Sequence, residues 1–380
     1  MVTIAVTPEA SNEPRVAVSP DTVKKFVAAG CTVAIVSGAG LRSSFSDDAY
    51  KAQGAEIVSS PNDALPRADI LLKVRRPSPE EFNTLKPGAI VVAMLDPYGQ
   101  RTEIETLAAT KATLFAMELM PRTTRAQAMD VLSSQANLAG YKAVVDAASK
   151  FGGALPMMMT PAGTVPAAKT FIMGVGVAGL QAIATARRLG AIVTATDVRP
   201  ATKEQVQSLG AKFIAVEDEE FLQAQTAGGY AKQMSAAYQA KQAELVANHV
   251  KTQDIVITTA LIPGRPAPRL ITSDMVASMK PGAVIIDLAA ERGGNCELTK
   301  PGETITTANG VKIIGPINLA GTVPVNASNL YARNLAAFVD LMISKEDKSL
   351  AIDWDDELIK GTLIAKDGEI VHPSLTEKTA

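Results

Sequence analysis

KTFIMGVGVAGLQAIATARRLGAIVTATDVR, residues 169–199, is the stretch that decides how this chain folds. A short apolar run, Thr170 to Met173, leads into Gly174-x-Gly176-x-x-Gly179, then a helical stretch from Val177 to Leu189 and a second β-like run ending at Asp197. That order suits a dinucleotide. The first glycine permits a tight turn, the second lets backbone N–H groups approach a pyrophosphate, and the third lets helix and strand pack closely, with the helix N-terminus facing the anion. Asp197, 18 positions after Gly179, stands where an acidic side chain accepts hydrogen bonds from an adenosine ribose. Arg199 beside it is of a kind that meets a 2′-phosphate, but Asp197 repels that group, so the pattern favours NAD(H) over NADP(H). Glycines at this spacing also occur in ordinary strand-to-helix turns. Here strand, helix and acid all fall where the mechanism needs them.

At 380 residues the chain is long for one core and suggests two domains of ordinary size. A net charge of −2, with no arginine- or lysine-rich block, disfavours nucleic acid as a partner. Cys31 and Cys296 lie far apart and belong to no CxxC or Cys/His cluster, which reads as reduced structural thiols. Met1 leads directly into the β-like VTIAV, with no basic segment of a signal peptide. The longest uncharged windows, 151–168 and 170–186, are broken by prolines or by the glycine turn, so neither reads as a membrane span.

Outward from the glycine turn, the fold class is α/β, with two doubly wound, Rossmann-like domains of parallel strands joined by a long helix. In the first 120 or so residues the strand candidates are Thr3–Val6, Thr32–Val36, Ile70–Val74, Ile90–Ala93 and Ala112–Ala116, with helices such as Pro20–Ala29 and Thr102–Thr110 between them. From Thr124 to Phe151 a 3.6-residue apolar period predicts the long connecting helix. Beyond Asp197, strands are expected near 211–215, 254–258, 283–287 and 312–314. A terminal helix from about Ala327 to Ser344 and a β-like tail, 351–371, follow the complete second sheet, so residues 1–125 with about 325–380 form a discontinuous first domain and 126–324 the second. The triple methionine Met157–Met159 reads as gap-filling core. Residues 217–242 are long for a connection and read either as a lid or as a plain surface insertion.

No HExxH, metal-type Cys/His spacing, GxSxG elbow or P-loop lysine is present, and the only histidines are His249 and His372, both read as structural or solvent-facing. No metal site is expected. The other dense polar cluster is Arg122, Arg125, Gln127, Asp130, Ser133, Ser134 and Gln135, at the expected domain junction. As helix-start chemistry it is ordinary, with Thr123 or Thr124 as the cap and Asp130 merely exposed. As a ligand cluster it is well placed, because clefts between α/β domains bind ligands and Asp130 and Ser133 share one helical face. The residues alone leave both readings open.

The strings MPRTTRAQAMDVLSSQANLAGYKAV, GVGVAGLQAIATARRLGA, TATDVR, AGGYAKQM, TTALIPGRPAP and MKPGAVIIDLAAERGGNC resemble the NAD(H)-binding component of proton-translocating NAD(P) transhydrogenase, of the alanine dehydrogenase/transhydrogenase family. The likeness runs over nearly the whole chain. It implies Si/Re-specific hydride transfer between NADH held here and NADP⁺ held by a separate NADP(H)-binding component, while a membrane-spanning component moves protons. It implies a homodimer located peripherally on the inner face of the cytoplasmic membrane through those partners. Arg122, Gln127, Asp130 and Ser133 then position the dihydronicotinamide. Val177, Asp197, Val198 and Arg199 hold the adenosine end, Gly229, Tyr230 and Met234 belong to a mobile loop that folds over the nucleotide, and Gln242 and Leu261 complete the wall.

Alanine dehydrogenase is the nearest rival, since its substrate-binding arginine and lysine have counterparts in Arg15 and Lys73. Its catalytic histidine does not, because the strand end reads Val92-Ala93-Met94-Leu95-Asp96. Arg15 and Lys73 therefore read as structural. A catalytically silent NAD(H) sensor is the other alternative, and the intact Gln127, Asp130 and Ser133 argue against it. One departure from the transhydrogenase pattern is residues 315–324, GPINLAGTVP, where the family usually carries an arginine-containing polar turn.

Overall fold

Apolar residues that alternate at a period of two feed both faces of two mostly parallel sheets. The computed structural model describes residues 1–98, 101–224, 234–262 and 264–376. It divides into one unit of Met1–Gln135 with Gly321–Ala380 and another of Ala136–Ala320. The first unit carries strands β1 (Thr3–Val6), β2 (Thr32–Val36), β3 (Glu56–Val58), β4 (Ile70–Leu72), β5 (Ile90–Ala93) and β6 (Thr113–Ala116). The second opens with a hairpin, β7 (Met158–Thr160) and β8 (Gly163–Val165), then β9 (Lys169–Met173), β10 (Ile192–Thr196), β11 (Lys212–Phe213), β12 (Ile255–Thr258), β13 (Val284–Asp287), β14 (Thr304–Thr306) and β15 (Lys312–Ile314). β16 (Leu363–Lys366) and β17 (Glu369–Ile370) return to the first sheet, whose order is β17-β16-β6-β5-β4-β1-β2-β3. The second sheet runs β11-β10-β9-β12-β13-β15-β14. β16 pairs antiparallel with β6, and β14 with β15; the pairs from β1 to β6 and the remaining long strands of the second sheet are parallel.

In the first unit Ile4, Val6, Ile70, Leu72, Ile90 and Val92 face one core, and Ala5, Leu71, Val91 and Ala93 face another. Both faces are buried, which is why these strands read as unbroken apolar runs. In the second unit Ile172, Ile257 and Ile286 lie on one side and Phe171, Val256 and Ile285 on the other.

Several expectations fail, among them the β-like tail over 351–371, which holds the helix Glu357–Thr362 before β16. The methionines are not core: Met157, Met158 and Met159 are 60%, 43% and 78% exposed, because both strands of the β7–β8 hairpin present every residue to solvent. The long helix begins at Val131 and runs to Lys150, not from Thr124, because a 3₁₀ turn at Gln127–Met129 precedes it. His249 and His372 are structural, His249 Nε2 lying 2.8 Å from Thr194 Oγ1 and His372 Nε2 lying 3.2 Å from the Gly361 carbonyl. Cys31 and Cys296 are both free and buried.

Candidate functional site

The glycine turn of the second unit connects β9 to the helix Val177–Arg188 at the carboxyl ends of parallel strands, where open α/β sheets bind ligands. Gly174 has φ +100°, a conformation that side chains resist, and a Cβ there meets Thr259 Oγ1 at 2.6 Å. A Cβ on Gly179 lies 1.9 Å from the Gly174 carbonyl oxygen. These two glycines are spent on the turn itself. Gly176 is different: a Cβ there meets nothing within 4 Å. It is also the N-cap of the helix and supplies no side-chain bond to the first turn, whose N–H groups a pyrophosphate suits. The residues present therefore fit a dinucleotide.

Asp197 follows β10 and its side chain is 7% exposed. Its Oδ2 accepts the Val175 N–H at 2.7 Å, which ties the acid to the glycine turn. Arg199 also folds back on it: the backbone N–H and Nε donate to Oδ1, both at 2.9 Å, and Nη2 donates to Oδ2 at 2.8 Å. Val177 and Val198 flank the turn and the acid as exposed apolar side chains, 39% and 47%. Gln242 accepts the Val216 N–H at 3.0 Å and donates to Thr196 Oγ1 at 3.2 Å, so its amide braces the end of β10. Met234 is buried in the cluster that includes Phe221 and Tyr238, while Leu261 is 52% exposed. Gly229 and Tyr230 lie outside the described residues.

A second network, which the sequence reading did not single out, fixes the chain after β12. Asn295 is fully buried; its Oδ1 accepts the Ala260 N–H at 3.0 Å and its Nδ2 donates to the carbonyls of Ala260 and Pro268 at 2.9 and 2.8 Å. Thr259 Oγ1 donates to the Gly174 carbonyl at 3.0 Å, so this segment is clamped onto the glycine turn. Asp287, also fully buried, accepts from Thr258 Oγ1, Thr299 Oγ1 and the N–H groups of Ala289 and Cys296. The signal available for it was an acid ending the apolar run VIID.

In the first unit, Arg122 to Ser133 forms a separate cluster. Asp130, not Thr123 or Thr124, caps the long helix: its Oδ1 accepts the Ser133 N–H at 2.9 Å and its Oδ2 the Ser133 hydroxyl at 2.5 Å. The reason is that the first turn of a helix leaves N–H groups in need of an acceptor, and Asp is among the best residues for it. Asp130 and Ser133 are thus brought together. Arg122 and Gln127 are exposed, and Arg125 is ion-paired with Asp356. Asn334, which no local sequence pattern singles out, pins the segment: its Oδ1 accepts the Ser134 hydroxyl and its Nδ2 donates to the Ala128 carbonyl, both at 2.7 Å.

Arg15 and Lys73 are 3% and 2% exposed and fully engaged. Arg15 makes a bidentate pair with Glu13, Nε to Oε1 at 2.7 Å and Nη2 to Oε2 at 2.6 Å, and Nη1 donates to Gln135 at 2.8 Å. Lys73 Nζ donates to the Pro8 carbonyl at 2.8 Å and to Glu81 at 3.2 Å, with Glu9 at 3.7 Å. Burial pushes Glu9 up to about 7, against the pull of Lys73. Burial also pushes Glu13 upward, but Arg15 and Arg75 outweigh it and hold Glu13 down at about 2. The two carboxyls act on stability in opposite senses. Glu13 stabilises the fold above its ordinary value of 4.5 and loses that contribution as pH falls toward about 2. Glu9 binds its proton more tightly when folded, so it costs stability as pH rises from 4.5 through about 7. Thermal unfolding of Glu9→Gln is therefore expected to lose less melting temperature than wild type between pH 5 and pH 7; parallel curves contradict the assignment.

Comparison with known proteins covers nearly the whole chain. Residues 5–139 match the family described as alanine dehydrogenase/PNT, N-terminal domain, and residues 143–373 its C-terminal domain. The chain is 54% identical over 373 residues to a NAD(P) transhydrogenase subunit alpha chain of Rhodospirillum rubrum, covering 97% of each chain. The crystal structure of transhydrogenase from Sinorhizobium meliloti superposes with a TM-score of 0.89 at 55% identity, covering 97% of this chain and 100% of that one. An L-alanine dehydrogenase structure gives a TM-score of 0.81 at 27% identity, covering 98% of both.

Proposed function

The chain belongs to the alanine dehydrogenase/PNT family, with NAD(P) transhydrogenase alpha subunits among its relatives, and from that premise we propose that it is the NAD(H)-binding component of a proton-translocating transhydrogenase. NADH, when bound, supplies a hydride, and that hydride passes with Si/Re stereochemistry to NADP⁺ held by a separate component. Gly174, Gly176 and Gly179 shape the pyrophosphate cradle, and Asp197 accepts the adenosine ribose with Val177, Val198 and Arg199 around it. Gly229, Tyr230 and Met234 belong to the loop that folds over the nucleotide, and Gln242 and Leu261 complete the wall. Arg122, Gln127, Asp130 and Ser133 orient the reacting ring. None of them has to carry a proton, because hydride exchange between two nicotinamides releases none. Catalysis is then positioning, with the reacting carbons held roughly 3–3.5 Å apart.

The observation that favours this over an amino-acid dehydrogenase is the closure of Arg15. The guanidinium that would grip a substrate carboxylate already grips Glu13 in the same bidentate geometry, and Lys73 is buried against Glu81. The strand end where the rival needs a histidine, Val92-Ala93-Met94-Leu95-Asp96, has none. The purified chain is therefore expected to bind NADH yet show no NADH formation from alanine with NAD⁺, and no NADH oxidation by pyruvate with ammonia. Turnover of either pair would overturn the reading.

Among the described residues no helix is long and apolar enough to cross a membrane. Membrane coupling accordingly falls to a membrane-spanning partner, which holds this component at the inner face of the cytoplasmic membrane. The exposed methionines of the β7–β8 hairpin support a homodimer, since apolar side chains standing off in solvent are better covered by a second chain. Residues 315–324, which lack the arginine usual to the family, place Leu319 in the core and link the Asn318 N–H to Glu291.

A further inference from the structure

The carboxylate of Asp197 has no acceptor site left over. A carboxylate offers about four lone-pair positions. Two on Oδ1 are taken by the N–H and Nε of Arg199, and two on Oδ2 by the Val175 N–H and Arg199 Nη2. Three of the four thus go to one arginine, two of them to its guanidinium. The Arg199 side chain is 31% exposed, while that of Asp197 is 7% exposed. A ribose diol can reach Asp197 only by displacing the guanidinium. A 2′-phosphate needs the guanidinium itself, and finds it turned toward a carboxylate that also repels the phosphate.

We propose that Asp197 and Arg199 form a selectivity latch, in which the carboxylate withholds from NADP(H) a guanidinium that is otherwise a competent 2′-phosphate site. This rests on the reading of the glycine turn as a dinucleotide cradle. Asp197 then has two tasks: accepting the ribose of NAD(H) and keeping Arg199 out of service. The hydroxyls of NAD(H) replace two hydrogen bonds of the latch with two of their own. NADP(H) has to break the latch and leave the acid facing its phosphate. The exclusion of NADP(H) is thus built from an attraction inside the protein as well as from repulsion of the ligand.

The test is NADH and NADPH titration, by calorimetry, of wild type, Asp197→Asn, Arg199→Ala and the double variant. Asn at 197 keeps an acceptor for the Val175 N–H, and Asp197→Ser serves as a second carboxylate-free variant should the first fold poorly. NADPH affinity is expected to rise about tenfold or more in Asp197→Asn, the scale of a charge-assisted hydrogen bond, and to lose most of that gain when Arg199→Ala is added, leaving only what relief of the carboxylate's repulsion contributes. A gain in NADPH affinity that survives undiminished in the double variant, or no gain, overturns the latch. If wild type binds no NADH at all, the dinucleotide reading beneath the proposal fails with it. Wild-type NADH binding without the NADPH gain removes the latch alone.

Discussion

Asp130→Asn is expected to slow hydride transfer by about a hundredfold while leaving NADH affinity within a few-fold of wild type, and Gln127→Asn is expected to behave in the same way. The separation follows from where these residues sit. Asp130 caps the helix Val131–Lys150 through Ser133, and Asn caps nearly as well as Asp, so the helix start survives the substitution. What is lost is the charge and the 2.5 Å bond from the Ser133 hydroxyl, which fixes the direction of the side chain. Gln127 is exposed on a 3₁₀ turn, so shortening it by one methylene costs the fold nothing and costs the reaction its reach. The backbone between the two is held independently by Asn334 at the Ala128 carbonyl, and Asn334 also accepts the Ser134 hydroxyl just beyond. Small errors in the approach of two reacting carbons are amplified in the rate, whereas the glycine turn, on which the proposed nucleotide binding rests, is untouched by either substitution. Stopped-flow single turnovers beside equilibrium titration check this, and an unchanged transfer rate in either variant contradicts it.

Alanine substitution along the glycine turn is expected to separate folding from binding. Gly179→Ala puts a methyl 1.9 Å from the Gly174 carbonyl oxygen, against backbone that cannot turn away. The expected loss is about 3 kcal/mol of stability or more, the upper end for overpacking. Gly176→Ala has φ −79° and ψ −166°, which an alanine adopts without strain, and its methyl meets no atom within 4 Å. Its stability is expected to change by no more than about 0.5 kcal/mol. NADH affinity is nevertheless expected to fall at least about tenfold, because the methyl fills the space through which backbone N–H groups meet a pyrophosphate. Denaturant unfolding and NADH titration on the two variants give the answer. Equal losses of stability, or full NADH affinity in Gly176→Ala, contradict the division of roles.

Much of the fold was legible because the strands obey one rule. Thr3–Val6, Thr32–Val36, Ile90–Ala93 and Lys312–Ile314 are short β-branched runs between turn residues, and all four form strands at those positions. β3 and β14 were not legible, being three-residue edge strands whose exposed residues, Glu56 among them, break the apolar run. The β7–β8 hairpin misled for the opposite reason. Its methionines look like core, and no local pattern tells an exposed apolar strand from a buried one. The site divides in the same way. The glycine turn and Asp197 announce themselves because their chemistry needs a fixed local spacing. Asp287, Asn295 and Asn334 do not, since each acts on residues brought near only by the fold. The same holds in part for the closure of Arg15 and Lys73: Glu13 and Glu81 are near in the chain, but Gln135 is brought to Arg15 and Glu9 to Lys73 only by the fold.

Direct hydride donation to another component's nucleotide can be followed by isotope. The purified chain, loaded with NADH deuterated at the transferring position of C4, is mixed with a purified NADP⁺-loaded partner component. Deuterium is expected in the NADPH formed, without exchange into water. NADPH free of the label, or no transfer at all, would refute direct donation.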